Sequence, residues 1–185
     1  GTGGARELIS RLLIAAAAGL ALAACEGETS APSPTFHASE TPADLAEWGQ
    51  IAISGGRLVL GEGVTAYDLN TALFSDYALK LRTVWLPEGA APAAYDDREA
   101  FDFPVGTVIT KTFYYPLAEQ AGAVMRGDGH ALIDAEGDLD LSRVRLIETR
   151  ILVHREDGWA ALPYRWNEDQ SEAVLLRYGD IVPLT

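Results

Sequence analysis

The chain has 185 residues, 14 Lys+Arg against 27 Asp+Glu, a formal net charge of −13 and 48% hydrophobic residues, a globular rather than a disordered composition. The acidic balance excludes nucleic-acid binding driven by phosphate neutralisation, which needs a basic face. A single Cys excludes an intrachain disulfide and a thiolate-cluster metal site.

Residues 1–24 read as a lipoprotein signal peptide. Arg6 and Arg11 make a basic start, and an apolar run from Leu12 to Ala24 follows. The run is shorter than the roughly 20 residues a spanning helix needs, and it fits the apolar region of a secretory signal. Leu22-Ala23-Ala24-Cys25 resembles a bacterial lipobox, in which small residues let the chain lie extended in a narrow protease site. Cys25 is then the acylated N-terminus, and acyl chains rather than charge hold the protein on the membrane. The expected location is the periplasmic side of a bacterial envelope. Glu26, in place of Asp, slightly favours the outer membrane.

Residues 25–43 are rich in Gly, Ser, Thr, Pro and Ala, which predicts a flexible tether. Residues 44–185 are expected to form a single globular domain. Thr41-Pro42-Ala43-Asp44 is a helix start, with Thr41 as N-cap and Pro42 at the first helical position. Gly49 ends that helix, whose task is to pack Leu45 and Trp48 on the domain.

From Ile51 onward the signal is mostly strand. Leu58–Leu60, Lys80–Leu86, Thr107–Tyr115, Val144–His154, Trp159–Trp166 and Glu172–Tyr178 are rich in β-branched and aromatic residues, with Gly, Pro, Asp and Asn between them. Tyr67–Ala78 is a second helix or a compact loop. The expected class is α+β, mainly β: an antiparallel sheet of about five to seven strands with a few short helices. No strand-helix-strand series supports a doubly wound nucleotide fold.

Alternation places Ile109, Lys111, Phe113 and Tyr115 on one face of a strand, and Leu146, Glu148, Arg150 and Leu152 on one face of another. Lys111, Glu148 and Arg150 therefore form a candidate half-buried charge cluster. A satisfied salt-bridge group is the preferred reading of it and a ligand site the other. Trp85, Trp159, Tyr164 and Trp166 are packing aromatics or, in a groove, stacking platforms for sugar rings.

The familiar catalytic and nucleotide-binding patterns are absent from the sequence, and so is C-x-x-C-H for attaching a c-type haem. Asp96-Asp97 reads as a turn. The acidic run from Asp134 to Asp140 has its Gly misplaced for an EF-hand loop and reads as a solvated hairpin loop. His37, His130 and His154 are the only imidazoles, and His130 sits in an exposed turn. No metal site and no cofactor are expected in this chain.

Four ordered blocks carry a family resemblance: Tyr67-Asp-Leu-Asn-Thr-Ala-Leu-Phe-Ser-Asp-Tyr-Ala-Leu-Lys80-Leu-Arg82, Phe103-Pro-Val-Gly-Thr-Val-Ile-Thr-Lys111-Thr-Phe113, Glu148-Thr-Arg150-Ile-Leu-Val-His154, and Gly158-Trp159 through Pro163-Tyr164-Arg-Trp166-Asn-Glu-Asp-Gln170. With Leu45-Ala-Glu-Trp48-Gly49 before them, they resemble the N-terminal region of secreted bacterial diheme c-type cytochromes. That family has no assigned physiological role, and its members often carry only a conserved hypothetical or repeat-type description. The resemblance implies that haem-bearing C-x-x-C-H motifs lie beyond this region. The chain is accordingly read as a fragment, with haem c expected only in a part past Thr185. The segment between Pro116 and Ser142 looks longer than the family's and is expected to be a hairpin insertion. A weaker analogy links Pro104-Val-Gly106-Thr-Val-Ile-Thr-Lys111 and Gly158-Trp159 to the cytochrome P460 type of domain, which implies an antiparallel sheet and transfers no chemistry.

The function that follows is a non-catalytic, lipid-anchored envelope module of a c-type cytochrome, which supports or docks the haem domain in electron transfer. Its expected packing face lies near Lys111, Glu148, Arg150, Trp159 and Trp166. Its expected partners are the membrane, through Cys25, and a cytochrome c domain or another envelope redox protein. The alternative is a haemless cell-surface module that binds carbohydrate or an envelope partner. A third reading, an enzyme using Asp76, Lys111 or Glu148 as acid or base, requires those groups to converge in a cleft.

Overall fold

The computed structural model of the chain describes residues 31–71, 73–177 and 181–184. The expected signal peptide at 1–24 and Cys25 lie outside the described residues, as does Tyr178 at the end of the last expected strand. The described chain is mostly β. After one 3-10 turn (Leu45–Trp48) come β1 (Ile51–Ser54), β2 (Arg57–Leu60), β3 (Thr65–Tyr67), β4 (Leu79–Trp85), β5 (Val108–Pro116), β6 (Leu139–Asp140), β7 (Val144–Arg155), β8 (Gly158–Trp166) and β9 (Ala173–Leu175). They form two antiparallel sheets, a small one ordered β1-β2-β6 and a large one ordered β3-β4-β5-β7-β8-β9. The short helices of the sequence reading reduce, among the described residues, to the 3-10 turn. Tyr67–Ala78 is the end of β3 followed by a compact loop, in which Asp76 and Tyr77 take positive φ.

The two sheets bury one hydrophobic cluster. Ile51, Leu58 and Leu139 come from the small sheet, and Leu79, Leu81, Val108, Tyr114, Leu146, Ile151, Val153, Tyr164 and Trp166 from the large one. Strict alternation on β5 produces this geometry: Val108, Thr110, Thr112 and Tyr114 point inward, while Ile109, Lys111, Phe113 and Tyr115 point to the opposite, half-open face. Threonine suits the inward positions because its hydroxyls pair across strands. Thr83 Oγ1 lies 2.6 Å from Thr110 Oγ1, and Thr112 Oγ1 lies 2.8 Å from Thr149 Oγ1. Each buried hydroxyl is thereby satisfied inside the core.

The 3-10 turn does bury Leu45 and Trp48. Its N-cap is Asp44, three residues after Thr41, and the Asp44 amide donates to the Glu47 carboxylate over 3.2 Å. Gly49 closes the turn at φ 60°, a left-handed conformation that suits Gly. The insertion between Pro116 and Ser142 contains isolated bridges at Leu117–Val124 and Ile133–Leu139, and it delivers β6 to the small sheet.

Residues 31–43, the described part of the expected tether, run along the domain as a strap. The Thr35 amide donates to Trp48 O over 2.9 Å, and the Glu62 amide to Pro32 O over 2.8 Å. Arg155 donates to the carbonyls of His37 and Glu40, and the Tyr164 hydroxyl donates to Pro42 O. Phe36 packs on the core, and the His37 ring meets Trp48 edge-on at 4.8 Å. Proline-rich composition signals an extended chain, and an extended chain has its backbone groups available for such docking.

Candidate functional site

The outward face of the large sheet is built by strand register. Tyr67, Arg82, Lys111, Arg150 and Pro163 are successive cross-strand partners on β3, β4, β5, β7 and β8. The next row on one side runs Thr65, Val84, Ile109, Leu152, Ala161, and it is apolar apart from Thr65. On the other side Lys80, Phe113 and Glu148 are partners. Three cations thus sit side by side in the central row, an arrangement that destabilises a sheet unless the charges are compensated.

Compensation is uneven. Arg82, only 6% exposed, donates from Nη1 to Asp68 Oδ1 over 2.8 Å. Arg150 pairs with Glu148 and lies 4.8 Å from the centre of the Phe113 ring. Lys80 Nζ donates to the Leu73 carbonyl over 2.5 Å. Lys111, in the middle of the row, rests its ammonium 5.6 Å from the Phe113 ring centre, and among the described residues no carboxylate pairs with it. Partial burial pushes the Lys111 ammonium below its ordinary value, and the charges of Arg150 and Arg82 push it further in the same direction. Lys80 is lowered in the same way, by burial first and then by Arg82 and Lys111, with Asp68 opposing.

The expected cluster of Lys111, Glu148 and Arg150 is therefore brought together, but on a half-open face: Lys111 and Glu148 are half-buried and Arg150 is exposed. Leu146, expected on the face of Glu148, is buried in the core instead. The register shifts between Phe113 and Tyr114, so that Phe113 opposes Glu148 and Tyr114 opposes Leu146. Ile147 is the extra residue of a β-bulge, which breaks simple alternation. Leu69 and loop residues 73–78 wall one side of this face and leave a concavity of about 450 Å³, whose lining includes Phe74, Lys80, Lys111, Phe113, Tyr115 and Glu148. Asp76 also lines it, so Asp76, Lys111 and Glu148 do share one concave region.

The four aromatics separate. Tyr164 and Trp166 belong to the core. Trp48 Nε1 donates to the Tyr164 hydroxyl over 2.7 Å, and Trp166 Nε1 donates to Thr149 Oγ1 over 3.0 Å. Trp166, 6% exposed, projects inward, because its neighbour Arg165 is the residue that pairs with Glu148 of the outward face. It does not join Lys111 and Trp159. Trp85 packs half-buried against the core. Trp159 is the exposed one, at 43%. It stacks on His154 with centroids 4.5 Å apart and planes at 7°, and Phe103 meets it edge-on at 6.4 Å. Phe101 and Tyr95 extend this aromatic line in steps of 5.8 Å.

The other candidates serve local structure. His130 and Asp128 occupy an exposed turn. Asp134 accepts from the amides of Glu136 and Asp138 and pairs with Arg57, so the acidic run is a hairpin loop tied to β2. Asp96 accepts from the Arg98 amide in an exposed turn. The sequence reading missed Lys80 and Arg82 as site residues. Their signal was present, since both alternate with the core residues Leu79 and Leu81 on β4.

No protein-family model, curated protein or solved structure matches the chain.

Proposed function

We propose that this protein is a lipid-anchored, non-catalytic envelope module of a c-type cytochrome, and that the outward face of its large sheet docks the haem-bearing domain for electron transfer. The observation that carries the reading is the meeting of the four family-like blocks. They reach β4, β5, β7 and β8, which are adjacent in one sheet, although about 20 residues separate the first block from the second and more than 30 the second from the third. Blocks scattered in sequence but joined in space fit one shared surface. That surface offers an apolar row of Val84, Ile109, Leu152 and Ala161 beside the exposed Trp159, the kind of apolar centre that a buried interface uses. Haem would be held by the partner domain and not by residues 25–185.

Two experiments test this. Reading the native coding frame past Thr185 should reveal C-x-x-C-H; a stop codon there would remove the haem partner. Replacing Cys25 by Ser should move the protein from the membrane fraction to the soluble fraction, and an unchanged distribution would remove the lipid anchor.

The exposure of Trp159 favours one other reading, a cell-surface module that binds carbohydrate or an envelope partner. Its ring already stacks on His154, so a sugar would meet the opposite ring face. Trp159→Ala should then abolish retardation in polysaccharide gels while leaving the circular dichroism spectrum unchanged.

A further inference from the structure

We propose that the concavity between loop residues 73–78 and strands β4, β5 and β7 is a binding site for a small organic oxyanion. Its carboxylate or phosphate group would be held by Lys111 between Arg82 and Arg150, with an apolar or aromatic body against Phe74 and Phe113. This site goes beyond the docking reading and does not depend on it.

The argument starts from charge placement. In a chain of net charge −13, four of the 14 cations, Lys80, Arg82, Lys111 and Arg150, line one concave region. Two carboxylates, Asp76 and Glu148, share that lining. Asp68 holds Arg82 and Glu148 holds Arg150. Register places Lys111 directly between the two guanidinium-bearing residues, and among the described residues no carboxylate reaches it. A row of like charges is retained at a cost unless an anion completes it. Guanidinium and ammonium groups lining one concavity suit a planar carboxylate or a phosphate, both of which accept several charge-assisted hydrogen bonds. Partial burial strengthens such contacts relative to open water.

The walls indicate what the anion carries. Phe113 lies under both Lys111 and Arg150. Phe74, 72% exposed, leans on Tyr77 at 5.0 Å and borders the same concavity. An exposed phenyl group beside unpaired positive charge is matched by a ligand with an apolar body and an acidic head. The volume of about 450 Å³ accommodates a small molecule.

Isothermal titration calorimetry of the full 185-residue chain, at constant ionic strength set by sodium chloride, tests the site with four probes: inorganic phosphate, phenyl phosphate, benzoate and phenol. One or both aromatic acids should bind about tenfold more tightly than inorganic phosphate, and whichever acid is preferred identifies the head group. Lys111→Gln should weaken that acid by about tenfold or more, while Glu148→Gln, which removes a competing carboxylate, should strengthen it. Phenol binding as tightly as the acids, an unchanged affinity in Lys111→Gln, or no binding by either acid would each overturn the proposal.

Discussion

Lys111 is the residue at which the sequence and its fold are in tension. Its aliphatic stem fits the half-buried face of β5, but its charge meets Arg82 and Arg150 across the neighbouring strands. Lys111→Met keeps the stem and removes the charge, so at neutral pH and low salt it should stabilise the protein by about 0.5 kcal/mol in urea denaturation. The sign with pH follows from the depressed value of the folded ammonium. The unfolded chain binds the proton more readily, so stability associated with Lys111 is present above the ordinary lysine value of 10.5 and is lost as pH falls through the depressed folded value. The advantage of Lys111→Met should therefore shrink as pH rises from the depressed folded value toward 10.5. An advantage independent of pH would show that packing, not charge, sets it. Burial pushes the phenols of Tyr114 and Tyr164 upward, and they titrate in the same alkaline range. Their contribution is common to both proteins and drops out of the comparison.

At the scale of the element, the hydroxyl pair joining β4 to β5 is the most direct test of how the core is assembled. Thr83→Val alone leaves the Thr110 hydroxyl buried without its partner and should cost about 1–3 kcal/mol. Adding Thr110→Val should recover most of that loss, because two apolar groups of matching shape leave nothing unsatisfied. Calorimetric melting of the two single variants and the double variant measures the coupling. Additive losses would mean that the 2.6 Å contact contributes little. The same scale shows what was legible in the sequence. β4, β5, β7 and β8 are long, and β5 alternates strictly, so their existence and the outward set Ile109, Lys111, Phe113 and Tyr115 could be read directly. β3 and β6, three and two residues long, carry too few side chains to show a period, and only pairing partners define them. The bulge at Ile147 was hidden because an inserted residue leaves no compositional mark, and it misplaced Leu146. The inward direction of Trp166 follows from its pairing register, which aromatic content alone does not reveal.

The whole molecule depends on the strap at 31–43 for part of its closure. Gly61 shows how close that approach is: a Cβ there would lie 3.0 Å from the carbonyl oxygen of Pro32 and 3.1 Å from Pro34 Cγ, besides overlapping the carbonyl oxygen of Gly49 at the end of the 3-10 turn. Gly61→Ala should therefore loosen the strap, and limited proteolysis should cut within 31–43 faster than in the parent protein. Unchanged cleavage would mean that the strap shifts without detaching. Composition suggested slack in this segment, whereas the structure commits it to contacts with Trp48, Arg155 and Tyr164. That commitment changes what an anchor at Cys25 would do. Five residues, Glu26 to Ser30, separate Cys25 from the start of the docked strap at Ala31. Fully extended, at about 3.5 Å per residue, they reach roughly 20 Å. Were Cys25 acylated as proposed, the leash would be short: the domain would ride against the lipid headgroups with its strap side facing the bilayer, and its freedom would be that of swivelling in place rather than of ranging away from the membrane.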